Sequence, residues 1–178
     1  MRGLRIAAFA SAAVAVAAVT GAGVASASPA DATATAASAC APGTLKVGKA
    51  YLPEGSGGMN HAGIYLVAKN TGKKTCVIKG YPGLALEGKG HSGLKTSVHH
   101  GNTYYSKDGG ARAITLKPGK AAYANLAWTH SGANAAQAKY LQVSPTGSNA
   151  HGVIALDDLV DNHKLDVTAW AAKKPKVN

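Results

Sequence analysis

Acidic residues, arginine and cysteine are all scarce in this chain, and each shortage narrows what it can do. Eight Asp and Glu stand against 19 Lys and Arg in 178 residues. Few carboxylates remain from which to build an acid–base pair or a calcium loop. Beyond residue 27 the only arginine is Arg112. Forked guanidinium groups suited to phosphates and base edges are thus nearly absent, which argues against specific nucleic-acid recognition. Cysteine occurs twice, at Cys40 and Cys76, with no C-x-x-C spacing for redox catalysis. The apolar run from Ile6 to Val19 falls short of the ~20 residues that cross a bilayer. Aromatics at 6% and 22 glycines leave out coiled-coil, collagen and multi-span membrane classes.

What is present has the composition of a soluble globular protein: 46% hydrophobic residues and a formal charge of +11. Arg2 and Arg5, the apolar run to Val19 and the tripeptide Ala25-Ser26-Ala27 follow the order of a secretory signal peptide. Cleavage before Ser28 removes two arginines and no acid, leaving +9. A lipid anchor would need a cysteine directly behind the apolar run, and Cys40 lies well downstream. The expected organisation is a signal peptide over 1–27, a small polar flexible linker over 28–39, one domain over 40–172 and a disordered tail over 173–178. In an exported chain an isolated cysteine pair is most simply one disulfide. Closing that loop is worth roughly 4 kcal/mol in the chain-entropy model.

Between linker and tail, short β-type stretches alternate with Gly, Pro and Asn. They cover 45–51, 62–69, 75–79, 84–87, 94–99, 111–116, 120–129, 140–143 and 165–171. Along 120–129 the apolar positions Ala122, Ala124, Leu126 and Trp128 recur with period two, as a half-buried strand requires. Asn70-Thr71-Gly72 reads as a hairpin turn into the strand bearing Cys76, and Pro118-Gly119 as a tight turn. Residues 132–140 predict at most one helical turn, and 154–160 a turn or a strand. Seven to nine short strands with frequent turn signals predict an all-β, immunoglobulin-like antiparallel β-sandwich.

No stretch carries a complete catalytic signature. Gly88-Lys89-Gly90-His91-Ser92-Gly93 fits a dinucleotide template, and nearly a nucleophile elbow at Ser92. A strand and not a helix follows, so it reads as a flexible hairpin tip. Seven histidines include the metal candidates His91, His99 and His100, which could meet across a hairpin to take Zn or Cu. On a strand, adjacent His99 and His100 point to opposite faces. Asp157, Asp158, Asp161 and Asp166 lack the spacing of a calcium loop and read as solvated acids. Trp128 and Trp170 read as core plugs, and Tyr104-Tyr105 as an exposed contact patch.

The order Cys40, Asn70-Thr71-Gly72-x-x-x-Cys76, Gly80-Tyr81-Pro82-Gly83, Leu116-x-Pro118-Gly119-x-Ala121 and Leu126-x-Trp128 resembles a family of secreted or lipid-anchored actinobacterial proteins classed only as a domain of unknown function. The resemblance spans about Cys40 to Trp170. It implies a β-sandwich with a Cys40–Cys76 disulfide and brings no catalytic residues. Many members carry a second cysteine pair in the C-terminal half, which is absent here.

The functional expectation is a monomeric, secreted, non-catalytic module without cofactor. It would bind an anionic cell-wall polymer, or another extracellular protein, through Lys69, Lys73, Lys74 and Lys79. The alternatives are a secreted protease inhibitor, against which the loop around Gly109-Gly110 counts as too glycine-rich to be rigid, a metal-binding module, or a small hydrolase pairing His91 or His99 with Asp108.

Overall fold

The computed structural model describes residues 37–145 and 148–178. The signal peptide and most of the linker expected from the sequence lie outside the described residues. The described part is all-β, with ten strands: β1 (Leu45–Tyr51), β2 (His61–Asn70), β3 (Cys76–Ile78), β4 (Gly83–Glu87), β5 (Ser97–His100), β6 (Ile114–Leu116), β7 (Ala121–Thr129), β8 (Ala135–Ser144), β9 (Gly152–Asp161) and β10 (Lys164–Val167). One sheet has the order β1-β2-β7-β10-β5; opposite it stand β4-β8-β9 and the short pair β3-β6.

Side-chain alternation builds the core. On β2 the inward residues Ile64, Leu66 and Ala68 face register partners Leu126, Ala124 and Ala122 of β7. All six are buried and join Leu86, Leu141, Val143 and Val160 of the opposite sheet in one cluster. Period two in the sequence thus becomes two faces in space, one of them dry. Trp128 and Trp170 are 4% and 2% exposed, the core plugs expected of them. Their indole N–H groups donate to Asp158 Oδ2 and to the Pro145 carbonyl. Among the ten strands every pairing is antiparallel except β10 with β5, which runs parallel.

Cys40 and Cys76 form a disulfide, with Cα atoms 4.7 Å apart. It holds residues 38–40 alongside β3, where Cys40 N donates to Val77 O and Val77 N to Ser38 O.

Three local expectations are corrected. The β2–β3 hairpin does not form: β3 pairs with β6, because β1 and β7 occupy both edges of β2. The stretch 132–140 is not helical; β8 begins at Ala135 and pairs with β9 from Ala135↔Asp161 onward. Ladder bonds and the burial of Ala138 outweigh the helical preference of its alanines. The loop 88–93 is tied down, with a 3-10 turn over Lys89–His91. Gly88 N donates to Ser92 O and Leu94 N to Leu86 O across its neck.

The C-terminal segment differs from the loose end expected of it. Ala171 exchanges two backbone hydrogen bonds with Tyr123. The chain then crosses the outer face of the large sheet, where Pro175 O accepts from the Tyr65 hydroxyl and Lys176 O from Ser106 Oγ. Asn178 N donates to Tyr105 O. This cover, with the loop 101–110, explains why the outward-facing Tyr65 and Asn125 are buried. Tyr105 is also buried, so of the expected aromatic patch only Tyr104 is exposed. Gly63 leaves the space that the Tyr105 ring fills.

Candidate functional site

Asn70, at the end of β2, organises one pole of the domain. It is fully buried, so each of its polar atoms needs a partner. Its side-chain amide donates to Lys74 O and to Leu116 O, both at 2.9 Å, while Oδ1 accepts from Gly72 N at 2.9 Å. Its backbone accepts from Gly119 N and donates to Lys120 O. Next door, Thr71 N donates to Thr44 O. One asparagine and its neighbour therefore lock three turns together, those around residues 41–44, 71–75 and 117–120.

Those turns and the adjoining strand ends carry lysine. Lys73 and Lys74 lie in one turn, Lys117 and Lys120 in another, and Lys46 and Lys69 are direct partners across β1 and β2. All six are exposed. Two like charges placed directly opposite on a sheet repel, so Lys46 and Lys69 cost stability where they stand. No Asp or Glu occurs in residues 38–49, 66–79 or 112–125. Among the described residues the ion pairs of lysine are Lys139–Asp157 and Lys164–Asp166, and none of the six takes part. Beside them lies an open recess of about 330 Å³, lined by Lys73, Lys74, Thr44 and Thr75 and reaching the disulfide at Cys76.

Of the four lysines singled out in the sequence, the fold gathers Lys69, Lys73 and Lys74. Lys79 lies beyond the far end of β3, roughly 17 Å from Lys74 for an extended chain at ~3.3 Å per residue. Lys46, Lys117 and Lys120 were missed. The first could have been found by pairing β1 with β2 as an antiparallel ladder; the others join through the β2–β7 and β3–β6 ladders and the Asn70 contacts.

The histidine candidates are not brought together. The His91 ring stacks on Tyr140 and its Nδ1 lies 2.7 Å from Glu87 Oε2. His99 lies 3.1 Å from Asp166, and His100 stacks on Tyr81. Among the described residues no group of three or more His, Cys, Asp or Glu is placed to hold a metal. Nor does Asp108 meet His91 or His99, as a hydrolase would need: it accepts from the Tyr81 hydroxyl at 2.6 Å and from Ala169 N at 2.8 Å. Burial works to raise the Asp108 pKa, but these hydrogen bonds hold it below its ordinary value. The acids of the C-terminal half have separate local partners: Lys139 for Asp157, Trp128 for Asp158, Asn134 for Asp161 and His99 for Asp166.

A family model described as a domain of unknown function, DUF4232, matches residues 40–171, and the chain belongs to that family. No curated protein and no solved structure matches it.

Proposed function

We propose that this protein is a secreted, non-catalytic module that binds an anionic polymer of the cell envelope at the lysine pole. One observation carries the reading: the β1–β2 ladder and the Asn70 knot gather six exposed lysines from two turns and two strands, with no carboxylate in those segments. A protein that used lysine only for solubility gains nothing from setting two of them directly opposite each other. A polyanion lying across the pole turns that repulsion into attraction. Arg2, Arg5, the apolar run to Val19 and the small residues before Ser28 support export, which places such a polymer within reach.

The test is cosedimentation with purified bacterial cell wall, before and after its anionic polymers are stripped, across a salt series. Binding weakens steeply between low and high salt, because exposed charges are screened over about 8–10 Å near physiological ionic strength. Lys69, Lys73 and Lys74 changed together to alanine lose most of it, while Lys79→Ala changes little. Affinity that stays flat across the salt series sinks the proposal, as does a Lys79→Ala loss equal to that of the triple variant.

A further inference from the structure

The C-terminal strap across the large sheet carries charge that the fold does not use. Lys173, Lys174 and Lys176 follow one another closely, and no acid occurs after Asp166. The strap is fastened through its main chain: Pro175 O and Lys176 O accept from the Tyr65 and Ser106 hydroxyls, and Asn178 N donates to Tyr105 O. Its lysine side chains are left free for other work. All three are exposed. Among the described residues Lys173 and Lys176 make no ion pair and no side-chain hydrogen bond. Lys174 has its ammonium 5.3 Å from the centre of the Tyr65 ring, a cation–π contact that keeps it over the sheet.

Register places these lysines relative to the pole. Along β2 the outward positions run Lys69, Val67, Tyr65; their partners are Lys46, Gly48 and Ala50 on β1, and Ala121, Tyr123 and Asn125 on β7. Lys46 and Lys69 thus stand on the face that the strap crosses. Tyr65, under Lys174, is four residues from Lys69, ~13 Å along the strand. The row between holds Gly48, Val67 and Tyr123, with Ala171 bonded beside Tyr123 where the strap begins. None of these carries a charge. On the other side of the strap, Lys174 and Lys176 border an open recess of about 670 Å³ closed by residues 51–56. The acid there, Glu54, lies past Tyr51, at the opposite end of β1 from Lys46. Pole and strap are two basic borders of one face, and the carboxylate stays outside them.

A span of ~13 Å exceeds the ~8 Å over which exposed charges act through physiological salt. A compact anion at the pole therefore gains little from the strap. A chain of fixed negative charges lying along β2 touches both borders and releases counterions at both. We infer that Lys173, Lys174 and Lys176 are the second half of the polyanion site, which selects a linear polymer long enough to lie from the pole to the strap. This rests on the pole reading and adds to it a requirement for length.

Calorimetric titration of the purified protein at about 0.15 M salt tests it, with tripolyphosphate as a probe shorter than the span and long-chain polyphosphate as one that exceeds it. The long chain binds about tenfold more tightly per phosphate. Lys173 and Lys176 changed together to glutamate keep the Lys174–Tyr65 contact and the main-chain bonds of the strap, so the Asn178 amide stays protected from hydrogen exchange. That variant binds the long chain roughly tenfold more weakly. Its slope of log affinity against log salt falls by about 1–2. Lys89→Glu with Lys95→Glu makes the same charge change next to β4, in the other sheet, and costs less than about twofold. Equal affinity per phosphate for the two probes overturns the inference. So does a strap variant that loses no more than the Lys89 and Lys95 variant, or one that loses binding only as the Asn178 amide is released. Lys69, Lys73 and Lys74 changed to alanine separate the two readings. If this triple variant loses the long chain and the strap variant keeps it, the pole acts alone; if the triple variant binds like the parent, both readings fall.

Discussion

Asn70→Ala tests the link between fold and site most directly. The substitution removes two side-chain donors and one acceptor, each in a hydrogen bond of 2.9 Å. A net hydrogen bond is worth about 1 kcal/mol, and a buried group left without its partner costs about 1–3 kcal/mol. Leu116 O loses a buried partner, so the total comes to about 3–4 kcal/mol. For a domain of this size that lowers Tm by roughly 10 °C. Urea unfolding should show a lower midpoint at unchanged slope, since the change removes contacts without altering the surface exposed on unfolding. Asn70→Asp separates donor loss from volume loss: it keeps an acceptor for Gly72 N and sets a carboxylate oxygen against two carbonyls. It should be no more stable than the alanine variant. A loss under about 1 kcal/mol for Asn70→Ala, or an Asn70→Asp protein as stable as the parent, would refute the idea that this side chain ties the turn after β2 to the end of β6.

Replacing Cys40 and Cys76 by serine should cost roughly 4 kcal/mol in urea unfolding, and a reductant should shift the parent but not the variant. Gly63→Ala places a Cβ 2.6 Å from the Tyr105 ring and 3.0 Å from Leu126 O, so it should cost about 1–3 kcal/mol in thermal unfolding. Glu87 is held below the ordinary carboxylate value of 4.5, first by its hydrogen bond with His91 and then by that with Gln142. Asp108 is held below 3.8 against the effect of burial. A depressed folded pKa means the unfolded chain binds the proton more readily. The stability from both groups is therefore present above those values and is lost as pH falls through the lower folded ones. Thermal scans stepped downward from pH 5 should show Tm falling, and the Glu87→Gln, Asp108→Asn double variant should show a flatter fall.

The sequence by itself determined the class and much of the strand list. Alternation in Ala122, Ala124, Leu126 and Trp128 is a local property, since successive side chains on a strand must point to opposite faces. It placed the strand and assigned its buried side. The bounds of β1 were likewise legible, and the two cysteines, alone in the sequence, had one simple partner each. Sequence misled where pairing partners compete. Alanine-rich 135–140 is ambiguous until β9 supplies a ladder, and the Asn-Gly turn after β2 suggests a hairpin until both edges of β2 are seen to be taken.

Only the tertiary structure decided which lysines stand together. Lys46, the segment holding Lys69 and Lys74, and Lys120 are far apart along the chain. Their proximity follows from strand register and from the contacts of one buried asparagine, a long-range property that no local pattern encodes. The side-chain cluster around Glu87 is the same case. Glu87 and His91 are near neighbours in the chain, but Tyr140, Gln142 and His151 reach them only because β8 lies beside β4, and register is set by burial on the opposite face of the sheet. Local chemistry wrote the strands, and the packing of their apolar faces fixed which polar groups meet on the outside.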